Sequence, residues 1–239
     1  MFTLAPEDWK VISTCQQEKT ISAEAITPAV IADFKLDDAM LDEMKKAFGE
    51  TKFYGAQFAK SVAISTYIYS MVAGPFYEIS SKVEYKVPLK LFCRHSLAKY
   101  MNDIAEDWFR VTRHGIDYYG EMFACEYPFD KLDQVFAPDY NMGAMENVGC
   151  ILYRDQYLER EDKFPRVRKE NIYNTILHEI SHMWFGNLVT MKWWNDLWLN
   201  ESFANMISWM CMEEAKGLED ITLAWYNFMS QNFSGLTQD

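Results

Sequence analysis

The sequence of 239 residues holds only four histidines and five cysteines, and no apolar run in it approaches the roughly 20 residues that a helix needs to cross a bilayer. The opening residues, Met1 to Asp8, lack the basic segment and apolar stretch of a secretory signal, so a soluble, cytoplasmic protein is expected. Cys15, Cys93, Cys125, Cys150 and Cys211 are odd in number and widely separated, which argues against a disulfide framework and offers no Cys-x-x-Cys metal motif. They are expected to be reduced and mostly buried. Positive charge is also scarce. With 23 Lys and Arg against 35 Asp and Glu, a net charge of −12 disfavours nucleic acid and anionic membrane, both of which require a basic surface. There is no Pro/Gly-rich tract, low-complexity segment or internal repeat. What is present, 49% hydrophobic and 16% aromatic residues, suffices for one sizeable core or two smaller domains.

Two of the scarce histidines fall in one string, His178-Glu179-Ile180-Ser181-His182. Residues four apart lie one turn above each other on a helix, so His178 and His182 can present two imidazoles to one ion. A catalytic zinc takes three protein ligands and keeps a position open, and Glu201 is the candidate third donor. Glu179, next to the first ligand, can reach a water on the metal without ligating it, which is the general-base position of the metalloprotease motif. Ile172, Ile176, Ile180 and Met183 recur at helical spacing and Gly186-Asn187 supplies a stop, so a helix over 171–185 with both histidines in its middle is expected. His95 and His114 have no acidic or cysteine residue at ligand spacing.

Elsewhere, the pattern predicts a strand over 9–13 and a helix over 37–49 capped by Asp37 or Asp38 and ended by Gly49. It also predicts sheet over 62–76 and strands over 85–92, 133–137 and 148–153. Leu97, Met101, Ile104, Trp108 and Val111, three or four apart, predict a long helix from Ser96 to Met122. A further helix is expected over 200–216 with Glu201 on its first turn. Trp193, Trp194 and Trp198 read as core residues clamping that helix against the histidine helix. By composition alone, Gly143-Ala144-Met145-Glu146-Asn147 reads as a hairpin-like loop with a solvated glutamate.

Taken together, His178-Glu179-x-x-His182, the eighteen-residue gap to Glu201, the run from Trp184 to Glu201 and the upstream Gly-Ala-Met-Glu-Asn resemble the zinc aminopeptidases of the aminopeptidase N group. These are gluzincins with a thermolysin-like catalytic domain. The likeness runs from about Ser65 to Asn227, and Asn200-Glu201-Ser202-Phe203-Ala204 looks more like the bacterial cytosolic branch. The resemblance implies an α+β fold, with residues 1–78 the end of a β-rich domain carrying a helical insertion and residues 79–239 the catalytic domain. It implies one zinc ion on His178, His182 and Glu201, Glu179 as general base, and Gly143 to Asn147 as substrate-binding residues. Glu146 would bind the free amino group of a peptide, while the neighbouring backbone aligns that peptide like an edge strand. In that family, a tyrosine well beyond the third ligand assists the oxyanion, and neither Tyr226 nor any other residue here matches it. The resemblance implies a zinc-dependent aminopeptidase domain that hydrolyses the N-terminal residue of peptides through a zinc-activated water, with weak turnover expected of this chain alone. The alternative is a piece of a split enzyme or a catalytically weak structural subunit of a larger assembly. A peptide-binding module without turnover is a third reading. A second protein chain would then cover an apolar face around Ile207, Met210, Leu223, Trp225 and Phe228.

Overall fold

Leu89, Leu91 and Cys93 alternate with Lys90, Phe92 and Arg94, and this two-residue period lets a single strand bury side chains on both of its faces. In a computed structural model, which describes residues 1–34, 37–158, 166–214, 218 and 224–236, that strand lies in a mixed sheet. The amino-terminal part forms β1 (Phe2–Pro6), β2 (Lys10–Ser13), β3 (Gln17–Ser22), the short α1 (Pro28–Ile31), α2 (Asp38–Phe48), β4 (Phe53–Phe58) and β5 (Met71–Gly74). The larger sheet and its helices follow as β6 (Phe76–Ser80), β7 (Leu89–Arg94), α3 (Ala98–Met122), β8 (Leu132–Ala137), β9 (Ala144–Met145), β10 (Cys150–Arg154), α4 (Arg166–Ser181), α5 (Trp198–Glu214) and α6 (Ala224–Leu236). The fold is α+β, as expected.

Three sheets result: β1-β4-β3, the pair β2-β5, and the five-stranded order β6-β7-β8-β10-β9. The middle strands β7, β8 and β10 are parallel, with α3 as the crossover between β7 and β8, whereas β6 and β9 run antiparallel at the two edges. One face carries Leu91, Leu132, Phe136, Ile151 and Tyr153 against the helices. The other carries Phe92, Val135 and Cys150 against Ile12 of β2. Coverage on both faces explains why apolar residues such as Phe92, Val135 and Cys150 also occupy the side of the sheet turned away from the helices.

On α3, Met101, Trp108, Phe109, Ile116 and Tyr119 form the buried stripe. A buried polar knot lies beneath it: the Trp108 indole and the Tyr153 hydroxyl both donate to Gln134 Oε1, at 2.8 and 3.1 Å, and Gln134 Nε2 donates to Thr112 Oγ1. With every member paired, the knot fixes how α3 sits on the sheet. At Gly115 a Cβ would stand 2.7 Å from Leu177 Cδ2, so glycine is what lets α3 approach α4 closely. The Tyr119 hydroxyl donates to the Leu177 carbonyl and holds α4 one residue before His178.

Several expectations are corrected. The 62–76 stretch is not continuous sheet: it holds a single 3-10 turn, Thr66–Ile68, before β5 and β6 begin. The strand expected from residue 85 starts at Leu89. Trp193, Trp194 and Trp198 are 69%, 51% and 59% exposed and do not clamp the helices; α4 and α5 instead share a core that includes Ile176, Ile180, Ile207 and Trp209. Ile207, expected on a bare face, is fully buried, while Trp225, Tyr226 and Met229 of α6 are exposed. Leu223 and the expected helix end at Lys216 lie outside the described residues. Helix α2 matches its expectation, with the Asp37 carboxylate accepting from the Met40 amide and Gly49 closing it at φ +57°. Among the described residues no helix is long and apolar enough to cross a membrane.

Candidate metal centre

Helix α4 buries Tyr173, Ile176, Leu177 and Ile180 and brings His178 to its last turn. The regular helix ends at Ser181, so His182 lies just past it, in a turn still closed by its amide bonding to the His178 carbonyl at 3.3 Å. The histidines therefore sit at the carboxy-terminal end of the helix, not in its middle. From there the chain reverses at Gly186, whose φ of +115° favours glycine, and continues to α5, where Glu201 stands on the first turn.

His178 Nε2, His182 Nε2 and Glu201 Oε2 converge at 3.0, 3.5 and 3.7 Å from one another. Bonds of about 2.0–2.1 Å to a tetrahedral ion put neighbouring donors about 3.3 Å apart, so this triangle has the dimensions of one face of a tetrahedral zinc shell. The tautomer also fits. His182 Nδ1 lies 3.0 Å from the Phe185 carbonyl oxygen, which can only accept; the ring proton is therefore on Nδ1, and Nε2 keeps its lone pair for a cation. Burial, then the neighbouring His178, pushes the His182 pKa down, favouring the neutral ligand form. The hydrogen bond with His178 pulls Glu201 below its ordinary value, outweighing its partial burial. Among the described residues this trio is the one cluster of three such donors close enough to share an ion.

Glu179 is buried beside the trio, and its Oε2 has no hydrogen-bond partner among the described residues. Burial, followed by the charges of Glu146 and Glu201, raises its pKa well above the usual carboxylate range. A carboxyl in such a place is a proton carrier in search of an object.

The Gly143 to Asn147 segment is not a solvated turn. Ala144 and Met145 form β9, the sheet's edge strand, paired with Tyr153 and Leu152 of β10. Glu146 and Asn147 are each only 5% exposed. The Val148 amide donates to the Ile68 carbonyl, and Gly149, at φ +62°, packs where a Cβ would meet the Thr14 carbonyl at 2.7 Å. Lys131 Nζ donates at 2.7 Å to Gly149 O, Ser13 O and Asp133 Oδ2, pinning this segment and β2 to the sheet. Three further residues that sequence reasoning passed over surround Glu146: Asn187, Asn200 and Tyr67. An asparagine side chain by itself gives no signal of burial, but the position of Asn200 directly before Glu201 placed it near the trio. Tyr67 touches Trp194, ring centroids 5.1 Å apart, at the rim.

Residues 109–239 match the peptidase family M1 domain. The chain belongs to this family. Among its M1 relatives are aminopeptidase N of Streptomyces lividans, 44% identical over 178 residues, and aminopeptidase M1 of Arabidopsis thaliana, 30% identical over 236 residues. Mouse glutamyl aminopeptidase is 33% identical over 177 residues. These alignments take in 73%, 98% and 74% of the chain but 20%, 26% and 18% of the relatives, so the chain spans about a fifth of the M1 proteins it matches. The comparisons lend no support to a separate second chain.

Proposed function

We propose that this chain carries the metal, base and amine-anchoring parts of a zinc aminopeptidase that removes the first residue of peptides, within a thermolysin-like catalytic arrangement. The observation that carries the reading is the approach of two buried carboxyl groups, Glu179 and Glu146, to the trio of His178, His182 and Glu201. The relatives' names point to the same chemistry.

His178, His182 and Glu201 would hold one zinc ion, which supplies Lewis-acid polarisation of a carbonyl and a water acidic enough to lose a proton near neutral pH. Glu179, whose Oε2 has no hydrogen-bond partner among the described residues, would accept a proton from the attacking water and pass it to the leaving amine, one group serving as base and then acid. Glu146 pairs with the free ammonium group of a peptide, and because its place is fixed relative to the trio, only the first peptide bond reaches the reacting atoms. The outer edge of β9, which pairs with no strand among the described residues, would offer backbone groups to the extended substrate, as a sheet accepts an added strand. The intact trio does not favour a purely structural subunit.

The test is hydrolysis of an aminoacyl arylamide by the zinc-loaded protein. Turnover that falls at least 100-fold in Glu179→Gln, with zinc content kept, supports the reading. Equal rates on the free and the N-acetylated substrate, or undiminished turnover in Glu179→Gln, would sink it.

A further inference from the structure

If Glu146 anchors the substrate amine, its carboxylate must be held still relative to the metal donors, and a loop glutamate with rotatable bonds does not hold itself. Two buried asparagines supply the hold. Asn187, 5% exposed, donates from Nδ2 to the Glu146 carbonyl oxygen at 2.8 Å, and its own amide donates to the His182 carbonyl at 3.0 Å. Asn200, 2% exposed, divides its Nδ2 between the Tyr67 hydroxyl at 3.1 Å and Glu146 Oε1 at 3.3 Å. It is covalently next to Glu201. The backbone of Glu146 is thus tied through one residue to the second histidine, and its carboxylate through one residue to the third donor.

The chemistry of the ties is selective. An amide nitrogen can only donate, so Nδ2 of Asn200 is the end that suits a carboxylate, whereas the oxygen end would repel it. Asn200 Oδ1 accordingly faces away, where a Cβ at Gly186 would come within 2.4 Å of it. Tyr67 accepts one of the two amide hydrogens and keeps its own proton, since burial and then the charges of Glu146 and Glu201 push its pKa up to about 12.

We propose that Asn187 and Asn200 are positioning residues that set the distance between the amine anchor and the metal donors, so that recognition of a free amino terminus depends on them although neither touches the reacting bond. This inference rests on the aminopeptidase reading above. It goes further in assigning the length of the exopeptidase ruler to two amide side chains rather than to the glutamate alone.

The experiment measures binding of leucine hydroxamate and N-acetyl-leucine hydroxamate to the zinc-loaded protein by calorimetry, in wild type, Asn187→Ala, Asn200→Ala and each of these combined with Glu146→Ala. Zinc stoichiometry, read separately, is expected to stay at the wild-type level. Each asparagine variant is expected to weaken the free-amine probe about tenfold and leave the acetylated probe unchanged. That loss should vanish in the Glu146→Ala background, which a merely structural role would not produce. The two variants report on different bonds to the same residue, so either one alone carries the test if the other does not fold. Equal weakening of both probes, a loss that persists without Glu146, or no loss at all would overturn the proposal. A wild-type protein that binds the two probes alike would overturn the amine-anchor reading itself, an outcome visible before any asparagine variant is made.

Discussion

His178 Nε2 and His182 Nε2 face each other at 3.0 Å, and the Phe185 carbonyl has already claimed the His182 ring proton at the other nitrogen. On the proposed reading a shared cation would sit between these two nitrogens, with Glu201 as its third protein donor. The protein should therefore retain about one zinc per chain after dialysis, and His182→Ala should lose it, as read by atomic absorption. A chelator should lower the melting temperature of the wild type and leave that of His182→Ala where it is. A full equivalent of zinc in the variant would show that the donor set is wrong.

Lys131 and Asp133 form a buried pair, 2.7 Å apart, and Lys131 also satisfies the carbonyls of Ser13 and Gly149. Lys131→Met removes the lysine's bonds to all three acceptors and leaves the Asp133 carboxylate buried without its cation, although the Gly149 carbonyl still accepts from the Asp133 amide at 3.0 Å. The expected cost is about 3–5 kcal/mol of unfolding free energy, measured by urea denaturation. Its pH dependence has a defined sign. Burial already holds the Asp133 pKa above its ordinary value, and Lys131 opposes that rise. Without the lysine the folded pKa climbs further above the unfolded one, so the destabilisation should grow as pH rises from about 4 toward neutrality. A loss that shrinks over that range would contradict the buried pair as its cause.

The candidate donors His178 and His182 were legible because their geometry is local: residues four apart lie one turn apart, and apolar residues at helical spacing marked the helix that carries them. Helices α2 and α3 were legible for the same reason, α2 with its Asp37 cap and α3 through the stripe from Met101 to Val111. The tryptophans misled because large aromatic side chains suggest burial by type, while exposure at Trp193 and Trp198 depends on which elements pack nearby. Isoleucine and tyrosine at residues 64–69 suggested sheet by propensity, yet the backbone there turns to carry Tyr67 to Glu146. Composition made Glu146 look solvated, and only the resemblance gave it a role. Its burial comes from Asn187 and Asn200, contributed by segments more than 40 residues away, and no local pattern encodes such a meeting.

Glu78 on β6 receives Lys90 at 2.7 Å and Lys10 at 3.4 Å. Partial burial would raise its pKa, but the hydrogen bond and charge of Lys90, then those of Lys10, outweigh this and hold it below the ordinary glutamate value. A carboxylate with a depressed folded pKa contributes stability above its unfolded pKa of about 4.3 and loses it as pH falls through the folded value. Glu78→Gln should therefore be less stable than wild type at pH 7, with the difference closing below about pH 4. Urea titrations of both proteins at pH 7 and pH 3 give the measurement; a gap unchanged at pH 3 would mean that lost packing, not the charge pair, is responsible.

Gly186 and Gly143 flank the site, and the same substitution should have opposite outcomes at the two. At Gly186 the backbone sits at φ +115°, and a Cβ would lie 2.4 Å from Asn200 Oδ1. Asn200 cannot yield without moving the first turn of α5, and Glu201 is on that turn. Gly186→Ala should cost about 1–3 kcal/mol in backbone strain. By shifting the third donor it should also weaken zinc about 10–100-fold, the range seen when supporting contacts of a metal ligand are disturbed. At Gly143 the nearest atom to a new Cβ is the Tyr157 hydroxyl at 3.6 Å, an ordinary contact, and φ is not positive. Gly143→Ala should therefore leave zinc affinity within a factor of about two, since uncrowded surface substitutions typically change stability by less than 0.5 kcal/mol. Competition against a fluorescent zinc chelator reads both variants on one scale. Equal losses at the two positions would mean that the contact between Gly186 and Asn200 does not govern the third donor.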